Sequence, residues 1–468
     1  MRKIVSSLVG VMLSMMAMAQ TPVLSVEGGQ IQGVRGEVPG VSIYKGIPYA
    51  APPVGDLRWK KPQPVVPWEG IRQCNNWGAA SLQADREVGS FYWKEFYQEG
   101  DPVRSEDCLY LNVWTPAAGQ EEAKLPVMLW IHGGGYTGGF GYETEFDGHA
   151  FAEKGVILVT INYRLGMCGF LAHPLLTKEN GGKGSGNYGL FDQLAALKWV
   201  KNNIAAFGGD PDNVTVFGQS AGAGSVQSLI SSPLAKGYIT RAIIQSGGGL
   251  GGIIRTKALA DNEQTGKALW DESGVTSLKE MRAYPAEKFN ELLANYMKTQ
   301  TNFMGLPYNP CVDGELLTAS TDDIAKAGKE LDISYMIGFC SEDLATEVMQ
   351  KAAIDWSLLL EEQGRKPAYV YCFNHDLPGE DMPADPALGA WGDFSSAFHS
   401  SELWYVFGTL SRCWRPMEDY DYRLSERMVT YWTNFAKTGD PNSGGVPAWD
   451  PCTKADSHIQ YLGVQSKK

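Results

Sequence analysis

A five-residue turn pattern that directly follows an apolar run constrains this chain most. Residues 214–217 read Val-Thr-Val-Phe, and residues 218–222 read Gly-Gln-Ser-Ala-Gly. A G-x-S-x-G pattern that ends a strand and opens a helix holds its serine at the tip of a strained turn. Glycines leave room for so tight a bend. The pattern therefore predicts a strand, a sharp turn and a helix with Ser220 as a nucleophile, although a glycine-rich surface turn would read the same.

Strand-like and helix-like segments alternate along most of the chain. Apolar residues between Leu190 and Phe207 recur at steps of three and four, which is typical of an amphipathic helix. The alternation predicts an α/β fold with a mainly parallel central sheet and helices on both faces. We also expect small antiparallel strands near the amino terminus and a helical insertion over the active face at about residues 248–329. The strand-like runs lie at residues 109–114, 126–131, 156–161, 214–217, 241–245, 333–339, 368–373 and 458–462.

The amino terminus has the composition of a targeting signal. Arg2 and Lys3 precede an apolar stretch at residues 4–18, and Ala17-Met18-Ala19 offers a cleavage site. That stretch is too short to span a membrane, and no later segment reaches about 18 uninterrupted apolar residues. The sequence thus predicts a signal peptide at residues 1–19 and an exported chain, periplasmic or secreted. Residues 20–468 are expected to form a single domain.

Charge and motif content exclude several kinds of partner. The chain has 40 basic and 53 acidic residues, a net charge of −13, with no long basic or acidic block. Nucleic acid and anionic membrane surfaces therefore do not fit as partners. The sequence contains no C-x-x-C and no H-E-x-x-H motif, so it predicts no metal site. Eight cysteines permit disulfides in an exported chain, but composition does not fix their pairing.

A run of three glycines supplies the second chemical signal. Residues 130–135 read Trp-Ile-His-Gly-Gly-Gly, just past a strand-like run. Glycine N–H groups can converge on one oxygen because no side chain crowds them, and the N–H of Ala221 would join them. The pattern predicts an oxyanion hole; a plain flexible loop is the alternative.

Elimination points to one histidine as the base. Behind a nucleophile turn of this kind the acid comes next in the chain and the histidine last, which leaves His375, His399 and His458. His399 stands on a loop before a helix-like segment, where an imidazole can reach a nucleophile, whereas the other two lie at strand ends. The acid should follow the strand at 333–339, where Glu342 and Asp343 are both available. Spacing alone does not choose between these carboxyl groups.

Further motifs are distributed over nearly the whole mature chain. They are G-I-P-Y-A at 46–50, S-E-D-C-L-Y-L-N at 105–112, N-Y-R-L-G at 162–166, G-N-Y-G-L-F-D-Q at 186–193 and W-T-N-F-A-K-T-G-D-P-N at 432–442. With these motifs the chain resembles type B carboxylesterases, in the cholinesterase-like and para-nitrobenzyl-esterase-like branch of the α/β-hydrolase fold. The resemblance implies an enzyme that needs no cofactor or metal.

The resemblance also assigns roles to individual residues. Ser220 becomes the nucleophile and His399 the base, and Gly134, Gly135 and Ala221 become the oxyanion donors. The family usually shows Asp-Glu-Gly at the acid, whereas this chain has Glu-Asp-Leu at residues 342–344. Asp343 falls on the catalytic position with one methylene less, and we prefer it to Glu342.

Structural features of the family are implied in the same way. Cys74 and Cys108 match the family's first disulfide, whereas the second family bridge is absent because its cysteine is missing. Pairing of the other six cysteines stays open. The resemblance further implies two structural ion pairs, Arg58–Glu106 and Arg164–Asp192.

The resulting expectation is a serine carboxylesterase that hydrolyses small neutral esters by a Ser-His-Asp acyl-enzyme mechanism. Cholinesterases carry glutamate before the serine, and Gln219 removes that negative charge, which disfavours choline esters. Three alternatives stay open. The enzyme could be a feruloyl or acetyl esterase acting on plant-derived esters. The same triad could serve a lipase or peptidase, or the chain could be a non-catalytic cholinesterase-like binding protein. The sequence does not predict the oligomeric state.

Overall fold

The described chain is built on a mixed β-sheet that contains both its first strand and its last strand. The structure is a computed structural model that describes residues 20–97, 100–271, 273–299, 308–379 and 395–464. The predicted signal peptide at residues 1–19 lies outside these ranges. No helix within them is both long and apolar enough to cross a membrane.

The described ranges contain fourteen strands, and twelve of them form the central sheet. Along the sheet the order is β1-β2-β3-β5-β7-β6-β8-β9-β12-β13-β14, with β4 beside β2, while β10 and β11 pair separately. The strands are β1 (Gln20–Val26), β2 (Gly29–Arg35), β3 (Ser42–Pro48), β4 (Ile71–Gln73), β5 (Tyr110–Thr115), β6 (Leu125–Ile131), β7 (Ile157–Ile161), β8 (Gly209–Gln219), β9 (Arg241–Gln245), β10 (Lys257–Ala258), β11 (Cys311–Val312), β12 (Ser334–Cys340), β13 (Tyr369–Phe373) and β14 (Gln460–Leu462).

Strand direction divides the sheet into two parts. The path β1-β2-β3-β5-β7 is antiparallel at every step. From β7 through β6, β8, β9, β12 and β13 to β14 every pairing is parallel. The carboxyl ends of the parallel strands meet at one edge, which is where an open α/β sheet binds its ligand. The predicted parallel sheet with small antiparallel strands at its amino-terminal side is confirmed.

Thirteen α-helices lie within the described ranges. They are α1 (Phe91–Phe96), α2 (His149–Glu153), α3 (Gly166–Phe170), α4 (Pro174–Glu179), α5 (Tyr188–Asn203), α6 (Ala221–Ile230), α7 (Leu259–Asp271), α8 (Leu278–Ala283), α9 (Phe289–Thr299), α10 (Thr321–Lys326), α11 (Thr346–Glu362), α12 (Leu403–Phe407) and α13 (Asp419–Thr438).

The helices cover both faces of the sheet because side chains alternate along each strand. In β6, Leu129 belongs to an apolar core that includes residues of α5, α6 and α11. Its neighbour Trp130 belongs to a second core that includes residues of α2, α12 and α13. Buried strands with two apolar faces explain the continuous hydrophobic runs in the sequence.

The helical insertion predicted at about residues 248–329 contains helices α7 to α10 in its described part. Arg58, in the segment between β3 and β4, binds this insertion. Its guanidinium donates to the carbonyl oxygens of Met281 at 3.3 Å and Tyr284 at 2.6 Å. Helix α9 lies beside Thr137, in the loop that follows β6. The insertion thus borders the edge of the sheet at which the predicted site lies.

The disulfide implied between Cys74 and Cys108 is not formed in this structure. All eight cysteines are free thiols, and both of these are buried. Their charged surroundings differ: Cys74 lies near Arg72, whereas Cys108 lies near Asp192, Arg164 and the Cys168 thiol. Burial raises the pKa of the Cys74 thiol to about 11, so it stays protonated. That prediction therefore has to be corrected: here both cysteines are packing residues.

The two implied ion pairs are present and bidentate. Arg58 donates from Nε and Nη2 to Glu106 at 2.7 and 2.6 Å. Arg164 donates from the same two nitrogens to Asp192 at 2.8 and 2.7 Å, with both side chains almost fully buried. Planar paired hydrogen bonds of this kind fix geometry as well as charge, so these residues are structural.

Candidate active site

The predicted nucleophile turn connects β8 directly to α6. Ser220 has φ +57° and ψ −123°, a conformation that residues with a side chain rarely adopt. Its N–H donates to the Gln245 carbonyl oxygen at 2.9 Å, which holds the turn against β9. A Cβ at Gly218 would lie 2.6 Å from the Gly222 oxygen, and a Cβ at Gly222 would lie 2.0 Å from the Ile131 oxygen. The glycines of the G-x-S-x-G pattern are thus required by close backbone approach, and Ser220 is left half-buried at the tip.

The glycine loop after β6 lies against this turn. A Cβ at Gly133 would be 3.1 Å from the Ser220 Cβ, and Gly134 and Gly135 have φ of +97° and +62°. Among the described residues, nothing accepts a hydrogen bond from the N–H of Gly134 or Gly135. Ala221 is the first residue of α6, where N–H groups have no partner within the helix. Free N–H groups beside a serine can stabilise an oxyanion.

The side chain of Gln83, which sequence reasoning missed, holds the far end of the glycine loop. Its amide accepts from the N–H of Gly139 at 2.9 Å and donates to the Gly139 carbonyl oxygen at 3.0 Å. Both hydrogen bonds are buried, so they fix the loop in a single geometry. An oxyanion hole works only when its donors are held in place before the reaction.

The structure resolves the choice between the two candidate acids. His399 Nδ1 lies 2.5 Å from Oδ1 of Asp343, whose side chain is 0% exposed. The carboxylate also accepts from the backbone N–H groups of Cys340 at 3.0 Å and Leu344 at 2.9 Å. Glu342 is exposed, and its backbone N–H donates to the Ala397 oxygen at 3.0 Å. Asp343 is therefore the carboxylate brought to the imidazole.

The surroundings of this pair raise the pKa of His399 and lower the pKa of Asp343. Burial lowers the pKa of His399, but the Asp343 carboxylate and its hydrogen bond, with Glu402, raise that pKa above its ordinary value of 6.5. Burial raises the pKa of Asp343, while His399 and the Cys340 N–H lower it, and the net pKa lies below the ordinary value. An ionised Asp343 fixes the proton of the ring on Nδ1 and leaves the lone pair on Nε2.

The other ring nitrogen of His399 faces the nucleophile turn. Its Nε2 lies 3.2 Å from Nε2 of Gln219, the residue before Ser220. In the described part of the chain, this nitrogen is paired with Gln219 and not with the Ser220 hydroxyl. The three predicted triad residues thus lie close together, because His399 bonds to Asp343 and contacts the residue before Ser220. Catalytic hydrogen bonds are often loose in an unliganded enzyme and tighten when substrate binds.

Several buried groups behind the triad were not assigned a role from the sequence. Glu402, fully buried, accepts from the Cys340 thiol at 3.1 Å and from the Gln245 amide at 3.3 Å. The hydroxyl of Tyr92 donates to the His399 carbonyl oxygen at 3.0 Å. The spacing of His399 and Glu402 was visible in the sequence, but it did not reveal which groups each one contacts.

The other two candidate histidines, His375 and His458, are not the partners of Asp343. His375 Nε2 bonds to Asp421 at 2.8 Å, and Tyr405 donates to the same carboxylate oxygen at 2.6 Å. His458 lies just before β14. Within the described ranges no group of three or more His, Cys, Asp or Glu side chains could hold a metal ion.

A cavity of about 240 Å³ opens beside the glycine loop. Its walls combine the backbone of the loop with aromatic side chains from α1 and the residue just after it. Trp93 lies in this wall, whereas Trp77 lies outside it and stacks on Tyr142 with 5.1 Å between the ring centroids. The lining residues are Arg86, Glu87, Ser90, Tyr92, Trp93, Tyr97, Gly134, Gly138 and Gly139.

Comparison with known proteins gives one consistent result. The model of the Carboxylesterase family matches residues 20–355 and 341–468. The fumonisin B1 esterase of Sphingopyxis macrogoltabida is 34% identical and covers 94% of this chain and 86% of its own. The para-nitrobenzyl esterase of Bacillus subtilis (strain 168) is 33% identical and covers 92% and 93%.

Solved structures agree with the sequence relatives. A structure titled as a thermophilic PNB esterase superimposes with a TM-score of 0.80 at 30% identity and covers 94% of this chain and 96% of its own. The strand order, the nucleophile turn and the chain order of the triad all match what this fold requires. The chain therefore belongs to the carboxylesterase family and is a serine carboxylesterase with the α/β-hydrolase fold.

Proposed function

We propose that Ser220, His399 and Asp343 carry out two-step acyl transfer on small neutral esters that have an aromatic group. The observation that carries the catalytic part is the His399–Asp343 hydrogen bond of 2.5 Å next to the strained Ser220 turn. An acid that orients a base, and a base beside an exposed hydroxyl, are what nucleophilic catalysis by serine needs.

In the first step, Ser220 Oγ attacks the ester carbonyl carbon and its proton passes to Nε2 of His399. The N–H groups of Gly134, Gly135 and Ala221 stabilise the negative oxygen that forms. Asp343 stabilises the charged ring, which then gives its proton to the departing alcohol oxygen as the C–O bond breaks. The product is an acyl-Ser220 ester.

In the second step, water takes the place of the alcohol. His399 accepts a proton from the water as its oxygen attacks the acyl carbon, and the same oxyanion donors act again. The ring then returns the proton to Ser220 Oγ, which releases the carboxylic acid and restores the resting enzyme.

The aromatic part of the proposal rests on the cavity beside Gly134. Tyr92, Trp93 and Tyr97 line it, and rings of this kind favour an aromatic partner by stacking. Its cation, Arg86, already pairs with Glu143 at 3.2 Å and packs on the Tyr97 ring, so this side chain does not call for an anionic substrate. Feruloyl and benzyl esters both meet this description. One relative named above is a para-nitrobenzyl esterase and the other a fumonisin B1 esterase, so relatives leave the natural ester open.

Removing one aromatic wall tests the substrate class. We expect the wild type to have a higher kcat/KM for benzyl acetate than for cyclohexylmethyl acetate, its saturated counterpart. Trp93→Ala should lower kcat/KM for the aromatic ester roughly 2- to 12-fold, because a lost aromatic contact costs about 0.5–1.5 kcal/mol. The saturated ester should lose less. Steady-state kinetics with both esters measure this difference.

Trp77 provides a matched control because it is a 38% exposed tryptophan outside the cavity. Trp77→Ala should leave the ratio of the two kcat/KM values unchanged. Equal losses on both esters in Trp93→Ala would contradict the aromatic proposal. Comparable turnover of N-benzylacetamide would favour the peptidase alternative instead.

The pH dependence follows from the ionisation of His399. Only the neutral ring can take the Ser220 proton, and its pKa lies above 6.5. We expect kcat/KM for a neutral ester to fall tenfold per pH unit below a single midpoint that lies above 6.5. Asp343 contributes no second step near neutrality because its pKa is lowered. A rate that stays constant down to about pH 4.5 would eliminate His399 as the base.

A further inference from the structure

The side chain of Gln219 occupies a position between the oxyanion loop and the base. Gln219 is the last residue of β8, and its side chain is buried. Its Nε2 lies 3.2 Å from Nε2 of His399, while its Oε1 would lie 3.1 Å from a Cβ placed on Gly133. The amide therefore fills the space between the imidazole edge and the backbone of the glycine loop.

The protons on the two ring nitrogens of His399 determine whether this contact is a hydrogen bond. Nδ1 carries the proton that it donates to the Asp343 carboxylate at 2.5 Å. In the neutral ring Nε2 then has a lone pair and no proton, so it accepts from the N–H of the Gln219 amide. In the charged ring both nitrogens carry protons, and two N–H groups would face each other. With the amide in the orientation seen here, its Nε2 toward the ring, the Gln219 contact is thus favourable only while the ring is neutral.

Other charged groups around the ring act in the opposite direction. Asp343, on the segment after β12, and Glu402, at the start of α12, both favour the charged ring. The remaining titratable groups nearby, the Cys340 thiol and the Tyr92 hydroxyl, both have pKa values raised by burial and stay neutral. Among these neighbours, only Gln219 presents a donor to the lone pair.

We propose that Gln219 is a positioning residue that donates its amide N–H to Nε2 of neutral His399 and holds the ring in the form that can accept the Ser220 proton. This inference rests on the proposed role of His399 as base. During the first step the Ser220 hydroxyl takes the place of the amide at Nε2. By stabilising the neutral ring, Gln219 lowers the pH down to which the enzyme stays active. Asp343 and Glu402 have the opposite effect, because they stabilise the charged ring.

Two substitutions test this role through the pH profile. Gln219→Met keeps the length of the side chain and removes the donor, so the neutral ring loses its stabilisation. The midpoint of kcat/KM should move to higher pH by roughly half to one unit. Gln219→Glu replaces the donor with a carboxylate that accepts from the charged ring, and its midpoint should move up by about one to three units. When the pH profiles of all three proteins are measured with one neutral ester, the midpoint should rise in the order wild type, Gln219→Met, Gln219→Glu.

Gln227 provides the matched control. It is a buried glutamine on α6 whose Oε1 accepts from the Gly249 N–H at 3.1 Å, away from the ring. Gln227→Met should keep the wild-type midpoint, although its thermal stability will fall. A midpoint that does not move in Gln219→Met, or that moves to lower pH, overturns the proposal. An equal shift in Gln227→Met overturns it as well, because the effect would then be general.

A second measurement separates this inference from the catalytic assignment. The rate at which a fluorophosphonate labels the protein depends on Ser220 and the ring but on no natural substrate. Its pH midpoint should shift in the two Gln219 variants in the same order as kcat/KM. Absence of labelling in the wild type would overturn the proposed function itself, whereas efficient labelling with one shared midpoint would overturn only the role of Gln219.

Discussion

Replacing Ser220 with alanine is expected to lower kcat by about 10⁴- to 10⁶-fold, because no other group can form the acyl intermediate. The oxyanion donors and the substrate cavity stay in place, so a small residual rate over water should persist. The hydroxyl is half-buried at the tip of the turn, and among the described contacts only backbone groups hold the residue. The melting temperature should therefore stay close to that of the wild type. Hydrolysis of p-nitrophenyl acetate and labelling by a fluorophosphonate measure the loss.

Ser228, on the helix α6 that follows the turn, is the control for this experiment. Its hydroxyl donates to the Gly224 carbonyl oxygen at 2.8 Å, within its own helix. Ser228→Ala should keep both activity and labelling. If Ser220→Ala were labelled as efficiently as the wild type, Ser220 would not be the nucleophile. An unlabelled wild type with no esterase activity would favour the non-catalytic binding protein.

The second large effect is expected for Asp343→Asn, with a loss of about 10⁴-fold in kcat. The amide is nearly the same size, but it removes the negative charge that stabilises the protonated ring in the transition state. Its NH₂ group can also donate to Nδ1, which would move the ring proton to Nε2 and remove the base. Single-turnover acylation with a chromogenic ester measures the chemical step directly.

Glu342→Gln gives the matched comparison because the two carboxyl groups are adjacent in the chain. Glu342 is exposed, so its substitution should change kcat less than about twofold. A larger loss in Glu342→Gln than in Asp343→Asn would reassign the acid. A similar loss in both would indicate a general effect of negative charge rather than an oriented hydrogen bond.

Local elements were predicted well where short-range sterics decide them. The nucleophile strand and helix lie where the G-x-S-x-G pattern indicates. A Cβ at Gly218 would clash with the Gly222 oxygen within the same turn, whereas a Cβ at Gly222 would clash with the Ile131 oxygen on the neighbouring strand β6. Boundaries were less accurate. The helix predicted through Phe207 ends as α5 at Asn203 and continues as a 3₁₀ turn, which Gly208 closes with φ +83°. Periodicity does not distinguish the two helix types at an end.

Contacts between distant parts of the chain were predicted only where the family resemblance supplied them. The ion pairs Arg58–Glu106 and Arg164–Asp192 belong to that group, and both are present. The same resemblance implied the Cys74–Cys108 bond, which is not formed. A family resemblance indicates which positions are neighbours in related proteins. The packing of this chain decides what the side chains at those positions contact here.

The class of chemistry could be predicted from the chain alone, because a strained serine turn, a glycine loop and a histidine in the right order each have a local signature. Three contacts became visible in the folded protein: Asp343 rather than Glu342 meets the base, aromatic residues of α1 border the oxyanion loop, and Gln219 faces His399 Nε2. The last contact joins residues 180 positions apart. Such contacts follow from how the sheet brings strand ends and loops to one edge, and no local pattern of residues encodes them.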